Sequence, residues 1–165
     1  MKIDLRLTQN RFQGRRGTAA VELAVVAPVV LVLLVGLLEI GQIVQVNQIL
    51  SNAAREGARK ASTGINTYAD VQTTVANYLT NSGITNQTGL TVTIFNVTQG
   101  NSGPTFDPST ADRLDQLQIT VTLPYGNVQL APLPAPAASI MTAQAVWFSN
   151  QDQAYPTSIT PPAGN

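Results

Sequence analysis

Gly17 and Glu22 are the residues whose spacing invites chemistry. The chain runs Arg15-Arg16-Gly17-Thr18-Ala19-Ala20-Val21-Glu22, and apolar residues then continue to Leu38 with no further charge. A carboxylate in a membrane span costs up to about 2.5–3.5 kcal/mol if it reaches the bilayer centre, so its presence demands a reason. If the peptide bond after Gly17 were cut, Thr18 would carry a free ammonium one helical turn from Glu22. The isolated carboxylate would then be half of an ion pair at a helix N-terminus, where the helix dipole also favours negative charge.

A second set of carboxylates, Asp107, Asp112 and Asp115, surrounds Arg113. Paired carboxylates can bind calcium or act as acid and base, but this spacing fits no calcium-loop pattern, and a solvated loop is the reading preferred. The chain has no cysteine and no histidine, which removes disulfides, thiol chemistry, most zinc sites and the usual general base. It shows no Gly-rich phosphate loop, nucleophile elbow or metal-ligand set. Neither a cofactor nor an enzymatic activity is expected.

The elements that must position Gly17 and Glu22 follow from charge and hydropathy. The 165 residues carry 11% charged side chains and no net charge, so nothing points to nucleic acid. Lys2, Arg6, Arg11, Arg15 and Arg16 crowd the leader against Asp4 alone, which predicts a cytoplasmic leader and an exported remainder. Ala19 to Leu38 is long enough to cross a ~30 Å hydrocarbon core as a helix and exceeds the usual apolar region of a secretory signal. Leu37-Leu38-Glu39-Ile40-Gly41-Gln42 offers no signal-peptidase site, and Ser51-Asn52-Ala53 lies too far downstream. An uncleaved single-span anchor explains the charges and the span but leaves Glu22 without a reason.

Beyond Leu38 the sequence becomes polar yet keeps helical spacing. Ile43, Val46, Leu50, Ala53, Gly57 and Ala61 form one stripe, and Glu56 precedes Lys60 by four residues, the better orientation for a helical ion pair. A helix from Thr18 to about Ser62 would reach roughly 65 Å, with Gly64 as its stop. Pro28 predicts a kink or local loosening within the span. The small residues Ala53, Gly57 and Ala61 allow close packing of α-helix against a neighbour. Two partners are open: the chain's own sheet, or helices of other subunits.

These residues resemble the TadE-like family of minor pilins, associated with the tight-adherence (Flp-type) pilus. The likeness rests on Gly17-x-x-x-x-Glu22, Pro28, Gly36-x-x-Glu39-x-Gly41 and Ala53-Ala54-Arg55-Glu56-Gly57-Ala58-Arg59, within Arg16 to Ala61. The resemblance implies cleavage between Gly17 and Thr18 by a prepilin peptidase, and pairing of Glu22 with a mature N-terminal amine, its own or a neighbour's. It implies other pilin subunits, the pilus assembly platform and membrane lipid as partners. Glu39 would lie near the outer membrane–water boundary as an ordinary interfacial charge. Major Flp-type subunits resemble Glu-Tyr where this chain has Glu22-Leu23, which favours a minor subunit. Type II secretion pseudopilins and ordinary type IV pilins share the cut-site logic, but their mature ends open with Phe-Thr-Leu or something close, unlike Thr18-Ala19-Ala20-Val21.

The exported part predicts a helix over Tyr68–Leu79, a strand within Leu90–Val97, a strand at Leu117–Leu123 and a last strand at Ser139–Phe148. Asn101 to Pro104 and Asp107 to Ser109 mark a loop. Val128 to Leu130 would extend the pairing until Pro132, Pro134 and Pro136 interrupt it. The last strand sets Ile140, Thr142, Gln144 and Val146 opposite Met141, Ala143, Ala145 and Trp147, and its pattern does not say which side is core. The expected class is α+β and pilin-like: a long N-terminal transmembrane helix that continues outside the membrane and packs on a small antiparallel sheet. The expected division is a basic cytoplasmic prepilin leader at 1–17, the long helix at 18–62 with its span at about 19–38, a head at 63–148 and a Pro/Thr/Ser-rich flexible tail at 149–165. The protein would sit in the inner membrane as a single-pass subunit, or in the extracellular pilus.

Overall fold

Backbone hydrogen bonding of one apolar-then-polar run makes a single helix, α1, from Asn10 to Ala61. The computed structural model describes residues 10–100, 105–129 and 139–151, with side chains from Gly17 onward. The leader's first nine residues, the Asn101–Pro104 loop, the predicted pairing at Leu130, the three prolines and the tail from Asp152 lie outside the described residues. The helix starts at Asn10, upstream of the expected Thr18. Extending an established helix adds a hydrogen bond per residue without a new nucleus, so residues 10–17 join it despite Gly14 and Gly17. It also continues as α-helix through Pro28. Among the described residues, one helix, Gly17–Ala61, is long and apolar enough to cross a membrane.

The second helix, α2 (Tyr68–Asn81), outruns its expected end at Leu79 and buries Val71, Val75 and Leu79. Its start is a capping box: the Thr67 hydroxyl accepts from the Asp70 N–H, and the Asp70 carboxylate accepts from the Thr67 N–H at 2.9 Å. The Thr67 backbone and hydroxyl hydrogen bonds hold the Asp70 carboxyl below its usual range. Between the helices, Gly64 takes φ +70° with Gln151 packed against it, a conformation and a closeness that suit glycine.

Three strands, β1 (Thr91–Asn96), β2 (Gln116–Pro124) and β3 (Ile140–Phe148), form an antiparallel sheet in the order β1-β2-β3. The register places Ile94 opposite Ile119 and Ile119 opposite Ala145. In central β2, Leu117, Ile119, Val121 and Leu123 are fully buried, each contributing about 1.5–3 kcal/mol by leaving water. Val92 and Ile94 of β1 lie on the same face, and in β3 it is Met141, Ala143 and Ala145 that face inward, which settles the question the pattern left open. Trp147 ends this inward row near the sheet's margin and stays 45% exposed.

The outer half of α1 covers this apolar face. Val46, Leu50, Ala53, Ala54, Ala58 and Ala61 are all buried against the head. A long helix on a small sheet thus completes the α+β architecture, with one core between α1, α2 and the strands. The stripe of small residues is where the backbones come closest: a Cβ on Gly57 would sit 2.8 Å from Val75 Cγ2 and 3.6 Å from Ile119 Cγ2. On the opposite side Glu56 pairs with Arg59, not with the expected Lys60. The guanidinium donates twice, at 3.0 and 2.6 Å, a fork that an ammonium does not offer.

Gly57→Val should therefore destabilise the head by about 1–3 kcal/mol through overpacking, measured as a shift in the denaturant midpoint of Trp147 fluorescence in detergent. Adding Val75→Ala should recover part of the loss. Equal midpoints for the wild type and Gly57→Val would show that α1 and α2 do not meet at this position.

Candidate functional site

The structure sets Gly17, Thr18 and Glu22 on one uninterrupted stretch of α1, all exposed, with Thr18 and Glu22 one turn apart on the same side. In the uncut chain the Thr18 nitrogen belongs to a peptide bond, so no ammonium stands there. Nothing lies within 4 Å of a Cβ built on Gly17, and the head leaves this region bare. From Val21 to Ile40 the large side chains project outward, Val32 being 73% exposed. Such a column of bare aliphatic surface calls for lipid or other helices around it.

The other predicted group, Ala53, Gly57 and Ala61, is brought together on one side of α1 and lies wholly under α2 and the sheet. Of the two partners left open, this chain's own head is the one that occupies these positions here.

Glu39 departs from its expected role as an ordinary interfacial charge. It is only 8% exposed, and the Tyr125 hydroxyl donates to its Oε1. Tyr125 opens a single 3₁₀ turn, Tyr125–Asn127, directly after β2, and its own N–H donates to the Ser139 carbonyl at 2.9 Å just before β3. One phenol thus ties the lower end of the sheet to the helix at the end of its all-round apolar stretch. The signal was present in the sequence: Glu39 precedes Ile43 by four and Val46 by seven, so it begins the same stripe that packs on the head. Its charge obscured that phase.

Asp115 also departs from the solvated-loop reading, being 4% exposed. Its Oδ2 accepts from Asn96 Nδ2 and Gln99 Nε2, both at 2.7 Å, and from the Asp112 N–H at 2.9 Å. Buried carboxylates persist when hydrogen bonds replace their water, and three donors do so here. Asp112 remains exposed beside Gln99, while Asp107 caps the 3₁₀ turn Pro108–Thr110 by accepting from the Ser109 N–H. Asp115 therefore fastens the loop between β1 and β2 to the far end of the sheet. Among the described residues, no group of three or more metal-ligating side chains converges.

The hydrogen bond to Glu39, with burial adding to it, pushes the Tyr125 phenol up to about 12. The folded value lies above the unfolded one, so the contribution is fully present below about pH 10 and disappears as pH rises through the folded value. Tyr125→Phe should cost about 1–3 kcal/mol at neutral pH by leaving the buried carboxylate without this donor. It should also remove the loss of stability between pH 10 and 12, followed by denaturation at a series of alkaline pH values. An identical alkaline profile in wild type and variant would show that the phenol does not hold Glu39.

Comparison with known proteins finds a family match over the helix. No curated protein matches the chain, and no solved structure does. The family model described as TadE-like protein matches residues 17–59, which opens on Gly17 and covers α1 almost to its end without entering α2 or the sheet. Over this helix, which is long and apolar enough to cross a membrane and carries the stripe beneath the head, the chain is similar to the TadE-like family.

Proposed function

We propose that the chain is a minor pilin or pseudopilin of a tight-adherence type IVb pilus. It is inserted with its basic leader in the cytoplasm and its head exported, and is cut between Gly17 and Thr18 by a prepilin peptidase. The observation that carries this reading is the TadE-like match, which begins at Gly17 and includes Glu22. The bare helix agrees with it, since a subunit drawn from lipid into a filament must offer its span to both surroundings.

The mechanism follows from charge. Before cleavage Glu22 is a carboxylate on a bare apolar helix and carries the cost of that position. Cleavage creates an ammonium at Thr18, either on the same chain or presented by a neighbour. Pairing of the two makes docking of one subunit beside another electrostatically favourable within an apolar setting, where charges are weakly screened. Gly17 assists the cut: glycine weakens a helix by about 0.5–1 kcal/mol relative to alanine, so the segment around it opens to a protease more readily. The role is structural, with other pilin subunits and the assembly platform as partners, and the head serves assembly, adhesion or secretion.

Co-expression with a cognate prepilin peptidase, followed by intact mass and N-terminal sequencing, tests this directly. The expected product begins at Thr18 and is not formed from Gly17→Val. Glu22→Ala should still be cut and inserted but should fail to enter filaments recovered by shearing. A chain that still begins with Met1 under an active peptidase would instead indicate an uncleaved, membrane-anchored binding module. Normal incorporation of Glu22→Ala would remove the ion pair from the mechanism.

A further inference from the structure

The head's charges are confined to one end. Charged residues are absent from 40–54, 71–106 and 116–151, so the head's ionisable acids and bases belong to the upper part of α1, to Asp70 and to the loop around Asp107–Asp115. The structure gathers these groups at the end far from Glu39. Asn150 N–H donates to the Ser62 carbonyl at the top of α1, and Ser149 N–H donates to the Asp115 carbonyl. Asp70 lies close enough to Lys60 for that ammonium to lower its pKa. At the opposite end, Pro124 pairs with Ile140, Gly89 packs beside Pro124, and Asn127 Nδ2 donates to the Thr88 carbonyl at 2.6 Å. Glu39, the one charge of the described residues at that end, is buried beneath Tyr125.

The uncharged end also has a fixed height. Glu39 follows Leu38, the last residue of the predicted span, and its bond to Tyr125 sets the turn after β2 beside it. Val44 stands five residues further on, about 7–8 Å along the helix axis. That distance is comparable to the headgroup zone on each side of a ~30 Å hydrocarbon core. Ile40 and Val44 are 60% and 51% exposed, and Ile140, on the outer face of β3 opposite Pro124 and so next to the Tyr125 turn, is 64% exposed. An amphipathic tyrosine suits this zone, while any charged group facing the hydrocarbon boundary would lose hydration.

We propose that this lower end, formed by the Tyr125 turn, Gly89 and Ile140, is a lipid-facing seat that rests on the outer leaflet beside the span. The proposal depends on the membrane-spanning reading of α1. Its occupant is the bilayer surface, because the seat is continuous with the span and the charges point away. Lacking basic side chains, the seat binds zwitterionic and anionic lipid alike, in contrast to a polybasic contact. The head is thereby held upright on the membrane and its charged end is presented outward.

The test uses the full chain in nanodiscs containing acyl-brominated lipid, with Trp147→Phe as background and single tryptophans introduced as Leu31→Trp, Ile140→Trp and Ile65→Trp. Ile65 is 83% exposed in the turn after α1 and serves as the distant control. The expected result is strong quenching for Leu31→Trp and at least several-fold more quenching for Ile140→Trp than for Ile65→Trp, unchanged when anionic lipid is added. Quenching of Leu31→Trp with Ile140→Trp no more quenched than Ile65→Trp would overturn the seat while leaving the span intact. Absence of quenching at Leu31→Trp would overturn the span and the seat with it. Because the chain has no cysteine, Ile140→Cys carrying a nitroxide gives an independent depth reading by oxygen and nickel accessibility. Water-like accessibility there would count against the seat even where Ile140→Trp misfolds.

Discussion

One helix carries two different surfaces, bare and apolar below and one-sided above, and the rest of the structure depends on where they meet. A three-stranded sheet has one apolar face and no means of covering it alone. The stripe on α1 from Glu39 through Val46, Leu50 and Ala53 to Ala61 supplies the cover, with α2 completing it. Lower down, the same helix turns aliphatic on all sides and is long and apolar enough to cross a membrane. The change from an all-round apolar surface to a one-sided stripe occurs at Glu39, where the head first touches the helix. Side-chain size follows the same logic. Val46 and Leu50 fill space beneath the head, whereas Gly57 admits Val71 and Val75 of α2 at close range.

Three carboxylates mark three different solutions to the cost of a negative charge away from water. Asp115 is buried and satisfied by amide donors. Glu39 is buried at the foot of the head and receives a phenol from a segment 86 residues away in sequence. Glu22 is left on a bare helix, and the proposed remedy is an ammonium that exists only after a peptide bond is broken. The first two are intrachain contacts that fold the head onto α1. The third is exposed on α1, which leaves it available for the proposed assembly.

Much of this architecture was legible because period and burial agree. The alternation in β2 and the stripe after Leu38 are direct records of which side meets the core, and each held residue by residue. The upstream start of α1 was less legible, since the charge pattern that marks the leader says nothing about its backbone. In β3 the inward row is Met141, Ala143 and Ala145, two of them too small to outweigh Ile140 and Val146 in a hydropathy pattern. Only the pairing with β2 resolves it. Glu39 and Asp115 were misread for a common reason: charge suggests water, and the donors that replace water come from distant parts of the chain.

The occupied stripe also limits how α1 can meet another helix above the membrane. Ala53, Gly57 and Ala61, whose small size would suit a helix–helix contact, are already covered by the chain's own head. What α1 leaves open beside the head is the opposite side, with Val44, Asn47, Gln48, Asn52 and Arg55 exposed. A neighbouring helix docking there would meet amides and a guanidinium, groups that gain from directional hydrogen bonds and lose little by staying hydrated when no partner is present. Below Glu39 the reverse holds, since aliphatic contact is available on every side. Along a single α1, contacts with other subunits would therefore change from nondirectional packing in the span to directional polar pairing beside the head.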